Sequence, residues 1–433
     1  MNLPRIAALT GFMAATHAGL AAAEPVAPWR QRAAATVESH RKATLTVEVV
    51  DEHGFGVPGA LVSARQLSHD FQWCAPAPPA GTGRSPLFNT VRMVRRPDEG
   101  MAAFEDAFRK ASRDGLRVHA AWQGGGGSTD GATAWTEVAA WELPRSTSAE
   151  GRDAVVRSLR HASPFARLFW PCGDMDGPDG RTRVAAARGE ALQLAQQGFG
   201  VDGLVAEFRT APMAGAPEDW LTLLDDGAGA QGKAAPLTWH VVARLQGADH
   251  GAAEASRLSD LLHVAFGHPA VTGISVHAGD GAGNPLLDSG GLTLAGVAWS
   301  NLVCKEWTTR ADARTPVSGK AGLRVFRGEH EVSAEHGGKQ HKARVLVSAD
   351  AVARVVVPVA QPELTVVPGA LLGFAWPAQA SGFVLESAED PEAGPWTRCE
   401  TFAVRGRDSW RQQVGAASAT RYFRLRRGGS PPQ

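Results

Sequence analysis

The stretch that most constrains the fold runs over residues 266–302. A helix ends there at Pro269, because proline cannot continue one. Residues 270–276, AVTGISV, form a short apolar run rich in β-branched side chains, which is typical of a buried parallel strand. A polar, glycine-rich loop (277–284) and a helix from about Leu294 follow. Strand, glycine loop and helix make one βα unit, and in a barrel of such units this loop lies on the functional face.

The same stretch resembles the last βα unit of glycoside hydrolase family 10, the xylanase barrels. That unit reads roughly "HPAV-x-GI-x-x-W-G", then "LLD-x-DG-x-LTPAG". The residues that fit this register are His268, Pro269, Ala270, Val271, Gly273, Ile274, Leu286, Leu287, Asp288, Gly291, Leu292, Thr293, Ala295 and Gly296. The tryptophan that closes the sugar subsite in the family is His277 here. The resemblance implies a (β/α)8 barrel whose partner is a xylan-type polysaccharide or oligosaccharide.

The rest of the chain predicts an α/β barrel inserted in a small β-sandwich. Residues 43–67 read as a hairpin that needs partner strands, and these follow only at 316–360. The split sandwich resembles the transthyretin-like or carboxypeptidase-regulatory type; a hairpin of separate function is the alternative. Residues 68–310 would form the barrel, whose size they match. Residues 361–427 read as a second β-sandwich, similar to small C-terminal modules of secreted bacterial proteins.

The net charge and the N-terminal residues indicate which partners and which compartment to expect. Lys plus Arg and Asp plus Glu number 44 each, so the formal net charge is zero and nothing favours nucleic acid or an anionic membrane. Residues 1–23 read as a signal peptide, with one basic residue, a short apolar stretch and a small-residue cleavage site. We therefore expect a secreted or periplasmic protein, with no run long enough to span a bilayer.

The cysteines show no metal-ligand spacing, and we predict neither a metal nor another cofactor. Disulfide bonds and buried thiols both remain open for Cys74, Cys172, Cys304 and Cys399. The oligomeric state is left open as well.

The family's two catalytic glutamates have no direct counterpart. Residues 165–170 read as the fourth strand, which in the family ends "W-D-V-V-N-E" with the acid/base glutamate; Asp174 stands there, in a turn-like run. Residues 236–242 read as the seventh strand, where the family's nucleophile is matched by Val241. Retaining hydrolysis needs two carboxylates about 5–5.5 Å apart, and valine cannot attack a sugar. The resemblance therefore implies a barrel with impaired catalysis.

Glu207 is the other candidate acid. It lies on the strand that resembles the family's sixth, where it replaces a glutamine; a simple ion pair is the alternative role. The interval between Asp174 and this strand is short, so we expect the fifth strand to be shortened or lost. The remaining candidates for a substrate cleft are Asn89, His119, Trp122 and His277.

Three functions are consistent with these patterns. The first is a xylanase-like barrel that has lost catalysis and binds polysaccharide or serves a structural role. The second is an active glycosidase with relocated acids, Asp174 with Glu207 or Asp280. The third is a structural or adhesive secreted protein.

Overall fold

The computed structural model describes residues 26–51, 54–75, 87–95, 101–122, 138–144, 149–210, 215–228, 237–245, 251–279, 284–289, 291–357, 364–367, 372–377, 383–392, 394–401, 403–405, 409–414 and 421–427. The predicted signal peptide lies outside these ranges. Within them, every helix is too short or too polar to cross a membrane.

The helices are α1 (Pro28–Thr36), α2 (Met101–Arg113), α3 (Ala149–Ala162), α4 (Gly180–Gln196), α5 (Pro217–Ala228), α6 (Ala252–Gly267) and α7 (Leu294–Ser300). Short π-helical turns, Val37–Arg41 and Asn301–Glu306, continue α1 and α7.

The barrel strands are β3 (Gln72–Ala75), β4 (Thr90–Arg95), β5 (Arg117–Trp122), β6 (Val138–Glu142), β7 (Arg167–Asp174), β8 (Gly203–Arg209), β9 (Thr238–Leu245) and β10 (Val271–Ala278). The other strands are β1 (Lys42–Val50), β2 (Leu61–His69), β11 (Leu287–Asp288), β12 (Gly291–Leu292), β13 (Arg310–Arg314), β14 (Lys320–Phe326), β15 (Gly328–His336), β16 (Lys339–Val347), β17 (Ala351–Val356), β18 (Thr365–Val367), β19 (Leu372–Pro377), β20 (Phe383–Ala388), β21 (Thr397–Arg398), β22 (Val404–Arg405), β23 (Ser409–Val414) and β24 (Tyr422–Arg427).

The central unit is a closed barrel in which β3 to β10 follow one another in order and β10 pairs with β3. Every pair is parallel. Helices α2 to α6 lie between successive strands, as βα units require. The predicted α/β barrel is confirmed.

The expected loss of one strand is wrong, because the barrel has eight strands. The strand that sequence reasoning overlooked is β6, only five residues long, and it occupies the fourth position. The segment around residues 165–170, read as the fourth strand, is therefore the fifth, β7. Asp174 consequently ends the fifth barrel strand and not the fourth.

The main apolar core lies between the barrel and its helices. Large buried side chains there include Trp141, Trp239 and Trp299, each fully buried. The Trp239 indole N–H donates to the Leu224 carbonyl on α5 at 2.9 Å, which fixes the direction in which alternate residues of β9 point. Side chains alternate along a strand, so the residues next to Trp141 on β6 and next to Trp239 on β9 face the barrel interior, which we call the lumen.

The split β-sandwich is also confirmed. β1 pairs antiparallel with β14 and parallel with β17, while β2 pairs with β13 and β15. The two sheets share one core of valine, leucine and alanine side chains. Strands from before and after the barrel thus complete each other, although the exact domain boundaries stay predictions.

The C-terminal module consists of two small sheets, β18-β19-β23-β22 and β21-β20-β24. Phe374, Trp376, Leu385 and Leu425 are buried in its core. This is the second sandwich that the sequence predicted.

Gly227 on α5 offers a test of the packing between helices and barrel. An added Cβ would lie 2.0 Å from Cζ2 of Trp239, which is fully buried. We expect Gly227→Ala to lower the free energy of unfolding by about 1–3 kcal/mol, because an overpacked core must shift. Gly189→Ala on α4 is the matched control: no atom lies within 4 Å of its Cβ, so chemical denaturation should show no loss.

Candidate functional site

The lumen of this barrel is polar. In a barrel of this kind bulky aliphatic side chains usually fill the interior. Here the inward positions carry a set that we call the lumen cluster: Cys74, Arg92, His119, Glu142, His240, Ser275 and His277. Strand register brings these residues together. Cys74 is paired with Ser275, and Arg92 is paired with His119. Glu142 is paired with Ala121, which lies two residues after His119 on β5. The apolar lumen residues include Ala140, Phe169, Val205 and Val242.

Arg92 and Glu142 form a buried ion pair at the centre of the cluster. Nε and Nη2 of Arg92 donate to Oε1 and Oε2 of Glu142, each at 2.6 Å, and both side chains are almost fully buried. Burial by itself would raise the pKa of Glu142. The charge and hydrogen bonds of Arg92, with His119, outweigh it and hold the pKa well below its ordinary value. Glu142 is therefore a carboxylate at neutral pH and cannot donate a proton.

Three histidines surround this pair. Nε2 of His119 lies 3.2 Å from Oε1 of Glu142, and its ring centroid is 4.1 Å from that of His240. Nε2 of His240 lies 2.6 Å from Oγ of Ser275, and Nε2 of His277 is 3.2 Å from Nη1 of Arg92. Burial lowers the pKa of both His240 and His277 well below 6.5, with His119 adding to the effect at His240 and Arg92 at His277. Both imidazoles are neutral at neutral pH.

Two further ion pairs lie at the carboxyl ends of the strands, which surround the mouth of the barrel. We call them the rim pairs. Nε of Arg244 on β9 donates to Oε2 of Glu207 on β8 at 2.7 Å. Arg209, at the end of β8, contacts the carboxylate of Asp174 on β7. Asp174 and Glu207 are register neighbours, so both predicted acids do meet at the mouth, each beside an arginine.

Asp176 is the exception among these carboxylates. Its Oδ2 accepts the backbone N–H of Arg209 at 2.6 Å. Burial raises the pKa of Asp176 to about 6, and the neighbouring Asp174 carboxylate contributes to the rise. A group that titrates near neutral pH is suited to proton transfer.

The other predicted site residues have different fates. His119 and His277 do belong to the lumen cluster. Asn89 does not belong to it. Its side-chain NH2 group donates to the backbone carbonyls of His69 and Phe71, and its side-chain oxygen accepts from the backbone N–H of Trp73. It therefore joins segments at the opposite, amino end of the barrel strands. The side chain of Trp122 and all of Asp280 lie outside the described residues.

Val241, the residue matched to the family's nucleophile, does not face the lumen. It is fully buried in the core between the barrel and its helices, like Trp239. The inward residues of β9 are His240, Val242 and Arg244, which face the lumen or the rim. A one-residue error in register moves a side chain to the other face of a strand.

Sequence reasoning missed Arg92 and Glu142 as site residues. The signal for Glu142 was the short apolar run that it ends, VAAWE, which is bounded by polar and glycine-rich segments. Cys74, His240 and Ser275 carry no comparable signal, because each stands alone in an apolar strand.

No protein-family model matches the sequence, and no curated protein matches it. The structure is similar to a thermostable mutant of a xylanase from Cellvibrio japonicus, at 11% identity and a TM-score of 0.38, over 54% of this chain and 98% of that one. It is also similar to xylanase 10B from Thermotoga petrophila in complex with xylobiose, at 12% identity and a TM-score of 0.36, over 51% and 86%. Native xylanase 10B from Thermotoga maritima gives 12% identity and 0.37, over 51% and 87%.

The Arg92–Glu142 pair can be tested by removing its cation. We expect Arg92→Met to destabilise the protein by about 3–5 kcal/mol at pH 7, because a buried carboxylate loses its partner. In the variant the charge and hydrogen bonds of Arg92 are gone, so burial raises the pKa of Glu142 and His119 opposes it only in part. Protonation then relieves the penalty as the pH falls, so the deficit relative to wild type should shrink towards pH 5 in urea denaturation series.

The control for this prediction is the exposed pair Arg109–Glu105 on α2, 3.2 Å apart. Arg109→Met should change stability by less than about 1 kcal/mol at either pH, since exposed pairs contribute little. A deficit in Arg92→Met that stays constant with pH would contradict the buried-carboxylate account.

Proposed function

We propose that this protein binds a carbohydrate of the xylan-type polysaccharide class at the mouth of its barrel and does not hydrolyse it. One observation carries the proposal. Three carboxylates of the lumen and mouth, Glu142, Glu207 and Asp174, are each paired with an arginine from another strand of the barrel.

Hydrolysis of a glycosidic bond needs two carboxyl groups in different states. One must be protonated to act as the acid, and the other must be ionised and free to attack the sugar or to activate water. An arginine at hydrogen-bond distance occupies the carboxylate lone pairs that the reaction requires. The pairing of these three groups therefore favours binding over turnover.

The charge balance of the mouth favours a neutral, hydroxyl-rich ligand. Each rim pair joins one cation to one anion, so the two pairs together add no net charge to the described part of the rim. Sugar hydroxyls both donate and accept hydrogen bonds, and a rim of guanidinium donors beside carboxylate acceptors satisfies both functions. Glu207 and Arg244 are both partly exposed and can reach such a ligand.

Calorimetric titration with xylo-oligosaccharides tests this proposal. We expect the wild type to bind and Glu207→Gln to bind about tenfold more weakly, because a hydrogen bond to a charged group is lost. Glu331→Gln is the control: it removes an exposed ion pair of the sandwich, with Lys342 at 3.1 Å, and should leave affinity unchanged. Xylan should release no reducing sugar. If no oligosaccharide binds, the structural or adhesive alternative replaces this one.

Asp176 supports a second candidate, an active hydrolase with relocated acids. A carboxyl group with a pKa of about 6 beside Asp174 and Arg209 has the protonation behaviour of a general acid. If the protein hydrolyses xylan or aryl xylosides, the rate should fall as the pH rises above about 6, because the acid must be protonated. Asp176→Asn should then abolish turnover of substrates with poor leaving groups; turnover that survives unchanged would exclude Asp176 as the acid.

A further inference from the structure

Three side chains with metal-binding atoms meet deep in the lumen. They are Cys74 of β3, His119 of β5 and His240 of β9, and each is fully buried. One ligand atom from each lies within 4.8 Å of the other two. They belong to the lumen cluster but play no part in the rim pairs, so the carbohydrate proposal leaves them unexplained.

One of the two imidazoles is oriented by a hydrogen bond from outside this group, and the other lies close to a carboxylate. His119 places its Nε2 at 3.2 Å from Oε1 of Glu142, and His240 places its Nε2 at 2.6 Å from Oγ of Ser275. A hydrogen bond such as that between His240 and Ser275 is what fixes the ring of a metal-binding histidine. Within the part of the chain that the structure describes, Nδ1 of His240 and both ring nitrogens of His119 are buried without a hydrogen-bond partner.

A glycine on β10 allows the His240 imidazole to approach the neighbouring strand closely. A Cβ at Gly273 would lie 3.0 Å from Nδ1 of His240 and 2.6 Å from Cβ of Gln72. Gly273 and His240 are register neighbours on β10 and β9, so a side chain at that position would press on the imidazole. The His240 imidazole can hold its position because residue 273 is a glycine.

We propose that Cys74, His119 and His240 bind a divalent transition-metal ion of the zinc class inside the barrel. One thiolate and two imidazoles are a ligand set that zinc accepts, and a tetrahedral zinc ion leaves one position for water. Zinc bonds of about 2.0–2.3 Å place neighbouring ligand atoms roughly 3.3–3.8 Å apart. The three ligand atoms lie within 4.8 Å of one another, so side-chain shifts of about 1 Å would bring them to that separation.

Metal binding requires that the Cys74 thiol lose its proton. Burial raises the pKa of the Cys74 thiol to about 12, so without a metal it stays protonated. On binding, the thiol proton passes to solvent, and the thiolate and the two imidazole lone pairs coordinate the ion. Arg92 adds one positive charge nearby, and its bidentate partner Glu142 offsets it.

Because all three ligands are buried, the metal must be taken up while the chain folds. The protein is therefore produced in zinc-supplemented medium, dialysed against a chelator to remove surface-bound ions, and measured by plasma mass spectrometry. We expect about one zinc per chain in the wild type, and at least a tenfold lower content in Cys74→Ser and in His240→Ala.

Cys172→Ser is the matched control, since Cys172 is also buried on a barrel strand but belongs to the outer core. It should retain the metal. Refolding the wild type with Co²⁺ adds a readout that does not depend on any variant: a thiolate ligand produces a charge-transfer absorption that an all-nitrogen site lacks. Wild-type protein without stoichiometric metal after both treatments, or a cobalt form without the thiolate band, would overturn the proposal.

Discussion

The buried pair between Arg92 and Glu142 is the interaction on which the interior of this barrel depends. Two charges without water are costly, and only direct, bidentate contact offsets most of that cost. The Arg92–Glu142 contacts of 2.6 Å provide it. With the pair in place, the charge of Arg92 helps to keep His277 neutral, and the Glu142 carboxylate lies 3.2 Å from Nε2 of His119. One ion pair thus sets the chemical state of its neighbours.

A polar lumen requires that stability come from elsewhere. Large buried side chains of the strands, such as Trp141 and Trp239, point outward against the helices, and Trp299 on α7 packs into the same core. Their burial contributes to the hydrophobic stabilisation, which scales with the apolar area removed from water. The interior is therefore free to hold histidines, a cysteine and charged groups where other barrels hold aliphatic layers. Outer packing and inner chemistry are separate functions of alternate residues on the same strands.

The rim and the lumen differ in what they can do. At the rim, Asp174 and Glu207 are paired with arginines but remain partly exposed, so they can contact a ligand that enters the mouth. Deeper in the lumen, Cys74, His119 and His240 are closed to solvent and can meet only an ion or a proton. A carbohydrate at the mouth and a metal below it are compatible, because different layers of the barrel hold them.

The sequence by itself determined the order of elements: strand and helix periods predicted βα units, a sandwich split around them and a C-terminal β module. It did not determine the strand count or the phase of the strands. β6 is a five-residue run, and Val241 was assigned to the lumen although it faces the helices. Only the closed barrel decided which alternate residues face inward. It also brought Cys74, His119 and His240 together, since residues distant in the chain meet only through strand register.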